Sequence, residues 1–244
     1  LTPLAGDWDT FYANNRSSAT RRRDRRKRKH LEEIGKVRFV TPQAPQELAS
    51  SFETLVAQKT RSFSAMGVRN MFRRTGYAEF YRSLAVDGAT RHIAHLSRLD
   101  VGSAPAAVSI GLTFRGSYYL VLSSYDGGDL SRLSPGSAHL HELMRHAIET
   151  GCAVFDFTVG DEPYKRDWAE SDSVLFDHVS AARPHAVLVA LPVLGSIRLK
   201  RAVKQNAVLW GLFTKARAFV GKLMSRFRAT PMPASAQQPR GEAP

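Results

Sequence analysis

Asp156 is the carboxylate whose setting in this chain best suits moving a proton or orienting a reacting group. It sits in a run where Ala153, Phe155, Phe157 and Val159 alternate with Val154, Asp156 and Thr158. That period of two predicts a strand with one strongly apolar face and Asp156 on the other, near the carboxyl end. Open sheets containing parallel strands present ligand-binding groups at that end. A second feature lies upstream, where Ser134, Pro135, Gly136 and Ser137 precede a helix and place no bulky side chain before its first backbone N–H groups. Unpaired N–H groups and the helix dipole suit such an end to an anion, a diphosphate for example. The same four residues also read as an ordinary serine-capped helix start.

These two features belong to one stretch, Ser134 to Trp168, around which the chain is organised. Leu140, Leu143, Met144, Ala147 and Ile148 recur at three- and four-residue steps and share one helix face, and Gly151 supplies the stop. A polar loop, Gly160-Asp-Glu-Pro-Tyr164-Lys165, follows the strand. Nucleophilic chemistry is poorly supplied. Ser137, His141 and Asp156 form a triad only on paper, because no G-x-S-x-G elbow is present. The single cysteine, Cys152, reads as a small core residue; it excludes an intrachain disulfide and fits a reducing compartment. His92 and His95 would point to opposite faces of an edge strand, and no clustered histidine or acidic spacing predicts a metal.

Three motifs in order carry a family resemblance: SYD at Ser124 to Asp126, SPG at Ser134 to Gly136, and FDF followed by GDEPYKRDW from Phe155 to Trp168. Together they resemble the acetyltransferases of the CelD/BcsL type, associated with cellulose and polysaccharide biosynthesis. That family belongs to the GNAT superfamily and is similar to the FemAB-type aminoacyl transferases. The resemblance covers roughly Arg16 to Arg183, with SPG standing where GNAT proteins usually carry a glutamine- or arginine-led run with two glycines. It implies an α+β, mixed-sheet, GNAT-like acyl-CoA N-acyltransferase fold with flanking basic helices. It also implies acetyl-CoA as co-substrate and a saccharide or cell-envelope precursor as acceptor. The strands flanking the central helix would diverge and leave backbone groups free for the pantetheine arm.

Under that resemblance Ser134, Pro135, Gly136 and Ser137 bind the donor. Asp156 acts as base or orients the acceptor; the alternative is a carboxylate that caps its loop or pairs with Lys165. Tyr164 would donate to the leaving thiolate or hold the acceptor, and Lys165 would meet a phosphate or carboxylate. Tyr125, Asp126, Arg61 and His141 are candidates for the substrate side, with His141 otherwise a surface helix residue. Direct transfer needs a placed acceptor, a proton acceptor and donors to the developing oxyanion, but no serine or cysteine nucleophile. Two rivals stand beside it: a FemAB-like transferase using charged transfer RNA, and a non-catalytic GNAT-like scaffold in a polysaccharide synthase complex.

The chain has 244 residues, is 43% hydrophobic and carries a net charge of +13. Arg16 to Arg38 contributes +8 and 186–229 contributes +9, which leaves the remainder at −4. Ser17 to Gly35 reads as one basic helix, with nucleic acid a partner only under the transfer-RNA alternative. The segment 193–229 reads as a cationic amphipathic helix, suited either to an anionic membrane surface or to packing on protein. Thr230 to Pro244 reads as disordered. The expected organisation is a basic helical arm (1–40), the acyltransferase domain (41–185), the cationic helical segment (186–229) and the tail (230–244). No apolar run is long enough to span a bilayer, so the expected place is cytoplasmic, with peripheral contact on the inner membrane face. The start at Leu1 suggests further sequence upstream. Between these ends the pattern predicts a docking turn at Trp8 to Tyr12, a strand at Val37 to Val40, and a helix from Pro45 to near Lys59. A polar loop follows at Arg61 to Gly67, where Arg61 and Phe63 would line an acceptor cleft. Then come a second helix, three antiparallel strands (His92–Leu99, Ala106–Phe114, Tyr118–Ser124) and a last strand at Ser173 to Ser180.

Overall fold

The computed structural model describes residues 1–160, 162–176 and 178–206, with Leu209 and Gly211. The chain divides into two compact units, residues 1–62 with 70–178, and residues 63–69 with 179–244. In the second unit, a 3-10 turn at Pro184–Ala186 leads into a helix, Val187–Gln205, that contains Pro192 and leaves Leu188, Val189 and Leu191 largely exposed. Most of the cationic segment expected over 193–229, and the whole tail after it, lies outside the described residues. No helix among the described residues is long and apolar enough to cross a membrane.

The first unit is built on one sheet of six strands: β1 (Thr2–Pro3), β2 (Val37–Val40), β3 (Ala94–Val101), β4 (Ala104–Phe114), β5 (Ser117–Tyr125) and β6 (Val154–Asp156). Their spatial order is β1-β6-β5-β4-β3-β2, antiparallel throughout except for the parallel pair β5 and β6. Arg115 and Gly116 form the two-residue hairpin between β4 and β5, both with positive φ, as tight hairpins require. The helices are α1 (Trp8–Asn15), α2 (Ser18–Ile34), α3 (Pro45–Ala65), α4 (Tyr77–Val86), α5 (Pro135–Glu149) and α6 (Pro163–Arg166). Ser17 caps α2 by accepting from the Thr20 N–H. Gly35 ends it where a Cβ would stand 2.7 Å from the Gly102 backbone nitrogen.

Each face of the sheet has its own cover. Leu140, Leu143, Met144 and Ala147 of α5 pack on Tyr118, Leu120 and Phe155, joined by Phe11 and Trp168. On the other face Leu48, Phe52 and Leu55 of α3 and Ala85 of α4 meet Leu96, Val108, Ile110 and Leu122. Leu31 brings α2 down onto Leu99, Val101 and Ala138, so the basic helix is anchored by an apolar side chain that is fully buried.

Three elements differ from the sequence expectation. No strand forms over 173–180 among the described residues, and Val174, Leu175 and Phe176 stand exposed. The free edge of β6 is taken instead by β1, with Thr2 opposite Phe155. Helix α3 continues through Arg61 to Ala65, because no residue before Gly67 breaks it. β6 stops at Asp156 rather than Val159, since Thr158 adopts a left-handed φ of 57°.

Two histidines, His139 buried and His95 half-buried, lie on the α5 face without a carboxylate partner among the described residues. His139 faces the Ser97 and Ser109 hydroxyls, at 3.1 and 3.4 Å, and His95 sits between the Tyr118 and Thr41 hydroxyls at 2.8 and 3.2 Å. Tyr118 fits there because Gly111 has no Cβ, which would overlap the Tyr118 ring. Burial, with lesser repulsion from His146 on His95 and from His95 on His139, pushes both imidazoles down from 6.5 to about 3. A depressed folded value means the unfolded chain binds these protons first. The stability they permit is therefore full above about pH 6.5 and is lost as pH falls towards 3, at about 1.4 kcal/mol per pH unit for each histidine. Urea midpoints are expected to fall steeply between pH 6.5 and 4.5, and less steeply in His139→Asn; a midpoint constant over that range would contradict this.

Candidate active site

The site begins where β5 and β6 part. Their parallel pairing covers only Ser117 with Val154, Tyr118 with Phe155 and Tyr119 with Asp156. From there the Asp156 carboxylate accepts the Thr158 N–H at 2.7 Å, and the Thr158 hydroxyl donates to the Leu120 carbonyl at 2.9 Å. These local bonds compete with continuation of the ladder. β5 runs on from Leu120 to Tyr125 with no strand beside it on that edge among the described residues. At the point of parting β5 carries a bulge: Ile110 pairs with Leu122 and Gly111 with Leu120, which leaves Val121 without a partner. Leu120 therefore faces α5 while Leu122 faces α3. Bulges of this kind re-aim side chains and backbone beside functional sites.

Past the end of β5, the chain bends through Asp126, Gly127 and Gly128 to the start of α5. Ser134 holds a left-handed φ of 55° and its side chain does not cap the helix; its hydroxyl accepts from the Lys27 ammonium at 2.7 Å. The Ser137 and Ala138 N–H groups turn back to the Ser134 carbonyl, so the Gly136 N–H is the one in that turn with no intrahelical acceptor. A Cβ at Gly136 would stand 3.2 Å from the Tyr125 ring, so the glycine lets the strand end approach the helix. Asp126 pairs with Arg61 of α3 at 3.6 Å. One turn back on α3, the buried Gln58 amide donates to the Pro105 carbonyl at 2.9 Å and accepts from the Ser124 hydroxyl at 2.8 Å. Ser134 to Ser137, Tyr125, Asp126 and Arg61 thus gather at one end of β5.

A second group gathers past β6. Gly160, with φ 143°, turns the loop, and a Cβ there would overlap the Glu162 carboxylate. Lys165 is buried and donates to Glu162 at 2.9 Å and to the Val159 carbonyl at 3.0 Å, not to Asp156. Burial works against the Glu162 carboxylate, yet its bond to Lys165, with help from the Lys59 charge, holds its pKa below the usual range. Burial also lowers the Lys59 ammonium on α3, with Glu162 opposing and Lys165 adding to the effect. Tyr164 stands edge-on to Phe157, and burial, then the Glu162 charge, raises its hydroxyl to about 12.

His141 stands in the wall of a cavity that Ser134 and Ser137 of α5 also line. It lies among Trp8, Tyr12 and Trp168, with Asp24 at 3.8 Å, and burial lowers it to about 4 against the pull of Asp24. Sequence reasoning passed over Lys27, Gln58, Lys59 and Glu162. The first three sit on helices whose polar positions look solvated in sequence, and only their packing brings them to strand ends. No cluster of three metal-ligating side chains occurs among the described residues.

Residues 18–166, more than half of the chain, match the family described as acetyltransferase (GNAT) domain, and the chain belongs to that family. GNAT acetyltransferases use acetyl-CoA. No curated protein matches the chain. Among solved structures, it is similar to an aminoglycoside acetyltransferase, meta-AAC0020, from an uncultured soil metagenomic sample, in complex with sisomicin. That likeness is 14% identical with a TM-score of 0.44, over 62% of this chain and 99% of the other. A possible acetyltransferase from Clostridium difficile 630 is 9% identical with a TM-score of 0.45, over 59% of this chain and 98% of the other.

Gln58 supplies both partners that tie α3 to the sheet beside this end of β5. Gln58→Ala removes the side-chain donor to the Pro105 carbonyl and leaves the Ser124 hydroxyl only its bond to the Val108 carbonyl at 3.1 Å, which is expected to cost about 1–3 kcal/mol. Urea unfolding followed by tryptophan fluorescence would show it, and an unchanged midpoint would refute the role given to this side chain.

Proposed function

We propose that this protein transfers an acetyl group from acetyl-CoA to a hydroxyl or amine of a saccharide or cell-envelope precursor. The observation that carries the donor half is the parting of β5 from β6 beside a helix that opens at Ser134-Pro135-Gly136. An edge of unshared strand backbone and a Gly136 N–H without an intrahelical acceptor suit an extended arm ending in a diphosphate. The acceptor half rests on the SYD, SPG and GDEPYKRDW motifs and their resemblance to the CelD/BcsL-type acetyltransferases.

In this reading Ser134 to Ser137 hold the diphosphate, and the strand edge past Leu120 aligns the thioester arm. Asp156 has one oxygen engaged by the Thr158 N–H, which fixes the carboxylate, and its other oxygen takes the acceptor proton. The acceptor oxygen or nitrogen bonds to the acetyl carbon, the carbon–sulfur bond breaks, and the thiolate receives a proton. Tyr164 suits that last role because burial keeps its hydroxyl protonated at neutral pH. Lys165 and Glu162 brace the loop that carries Tyr164. Arg61, Asp126 and Tyr125 line the acceptor side.

Calorimetric titration with acetyl-CoA tests the donor half. Gly136→Glu drives a carboxylate into the diphosphate position and against Tyr125, and is expected to abolish binding while the fold is kept; equal affinity would overturn the assignment. Asp156→Asn tests the chemistry. With amino sugars and neutral oligosaccharides as acceptors, release of free CoA thiol is expected to fall about a hundredfold or more while acetyl-CoA still binds. Transfer from charged transfer RNA with no acetyl-CoA binding would favour the FemAB-like alternative instead.

A further inference from the structure

At the end of the sheet where β5 starts, opposite the cleft at Leu120 to Tyr125, lies a cavity of about 220 Å³. Its walls come from the link between β2 and α3, the segment leading into β3, the end of β4 and the last turn of α5. Leu48, Ala85 and Leu96, all members of one apolar core, supply part of the lining. No carboxylate lines it among the described residues. Arg91 follows a 3-10 turn, Gly88–Thr90, and pairs with no acid among the described residues. Three imidazoles share the wall, and only one is saturated. His95 engages the Thr41 hydroxyl at 3.2 Å with one nitrogen and the Tyr118 hydroxyl at 2.8 Å with the other. His146 stacks on His95 at 4.2 Å and 17°, and the ring nitrogens of His146 and His92 meet no hydrogen-bond partner among the described residues. With both His95 nitrogens committed, the three imidazoles do not form a metal site.

A guanidinium without an acid, beside imidazoles with open nitrogens, offers donors in search of an acceptor. The planar fork of arginine matches a carboxylate, which it can hold through two parallel bonds. The apolar part of the lining calls for a body of the same character. The volume, below the roughly 300–1,000 Å³ of drug-sized pockets, limits that body to a short chain or a single ring. A bare phosphate would meet the same donors but leave the apolar lining to water. We infer that this cavity binds a small organic carboxylate with an apolar body. Arg91 holds the head, His92 and His146 are further donors, and the body covers Leu48, Ala85 and Leu96. This ligand is additional to the acetyl donor and its acceptor. The cavity and the cleft lie at opposite ends of β5 and share no residue, so the inference stands apart from the transferase reading.

The test titrates the full chain with benzoate, acetate and inorganic phosphate, following backbone amide and histidine ring signals. Benzoate is expected to saturate, shifting the Thr41, Gln43 and Ala94 amides and the His146 ring, while Val121 to Tyr125 and Gly136 stay in place. Acetate has the head without the body and is expected to bind about tenfold or more weakly, with phosphate no better. Arg91 is exposed, so Arg91→Ala should keep the urea midpoint while benzoate affinity falls about tenfold or more. Arg91→Lys is expected to recover only part of that loss, because an ammonium lacks the paired donors. Benzoate that does not saturate, phosphate that matches it, or an Arg91→Ala variant that binds like the wild type would overturn this inference. Acetyl-CoA binding is measured separately on the same signals, and its failure would leave this site untouched.

Discussion

Everything at this site depends on the parallel pairing of β5 and β6 ending after three residues. The cause is local. Asp156 takes the Thr158 N–H with its side chain, and Thr158, at a φ of 57°, gives its hydroxyl to the Leu120 carbonyl. Once these polar groups satisfy each other, the two strands have no reason to continue side by side, and β5 carries an open edge onward to Tyr125. The bulge at Val121 falls at the same place and rotates the rest of β5, so that Leu122 serves the opposite core from Leu120.

Rigid supports hold this gap. On one side α5 is fixed by Leu140, Leu143, Met144 and Ala147, and by His139 between two serines of the sheet. On the other, α3 is fixed by its leucines and by Gln58, whose amide spans Pro105 and Ser124. The end of β5 and the start of α5 meet closely because Gly136 allows Tyr125 to lie against the helix. Burial keeps His95, His139 and His141 neutral, so the face that carries α5 holds no extra positive charge in its core at neutral pH.

Much of this frame is legible in the sequence because it follows from periodicity and punctuation. Ser17 and Gly35 bound α2, Gly151 ends α5, and alternating apolar residues mark the meander. What escapes is set by neighbours distant in the chain. Thr2 and Pro3 occupy the edge of β6 that the apolar run after Ser173 would otherwise be suited to fill, and a two-residue strand leaves no periodic trace. The bulge at Val121 is invisible because Leu120 and Leu122 share parity and so read as one face. Ser134 looks like a cap, yet its hydroxyl is drawn to Lys27, 107 residues away in sequence. Lys165 turns from Asp156 to Glu162 because the helical turn at Pro163 brings those two side chains together.

The most direct measurement of the central claim is the backbone amide spectrum of the protein titrated with acetyl-CoA. If the gap between the parted strands and the opening of α5 holds the donor, the amides of Val121 to Tyr125 and of Gly136 shift first and gain protection from exchange. Those of β2 and β3, at the far edge of the sheet, stay in place. Shifts confined to the far edge, or none at saturating acetyl-CoA, would contradict the account.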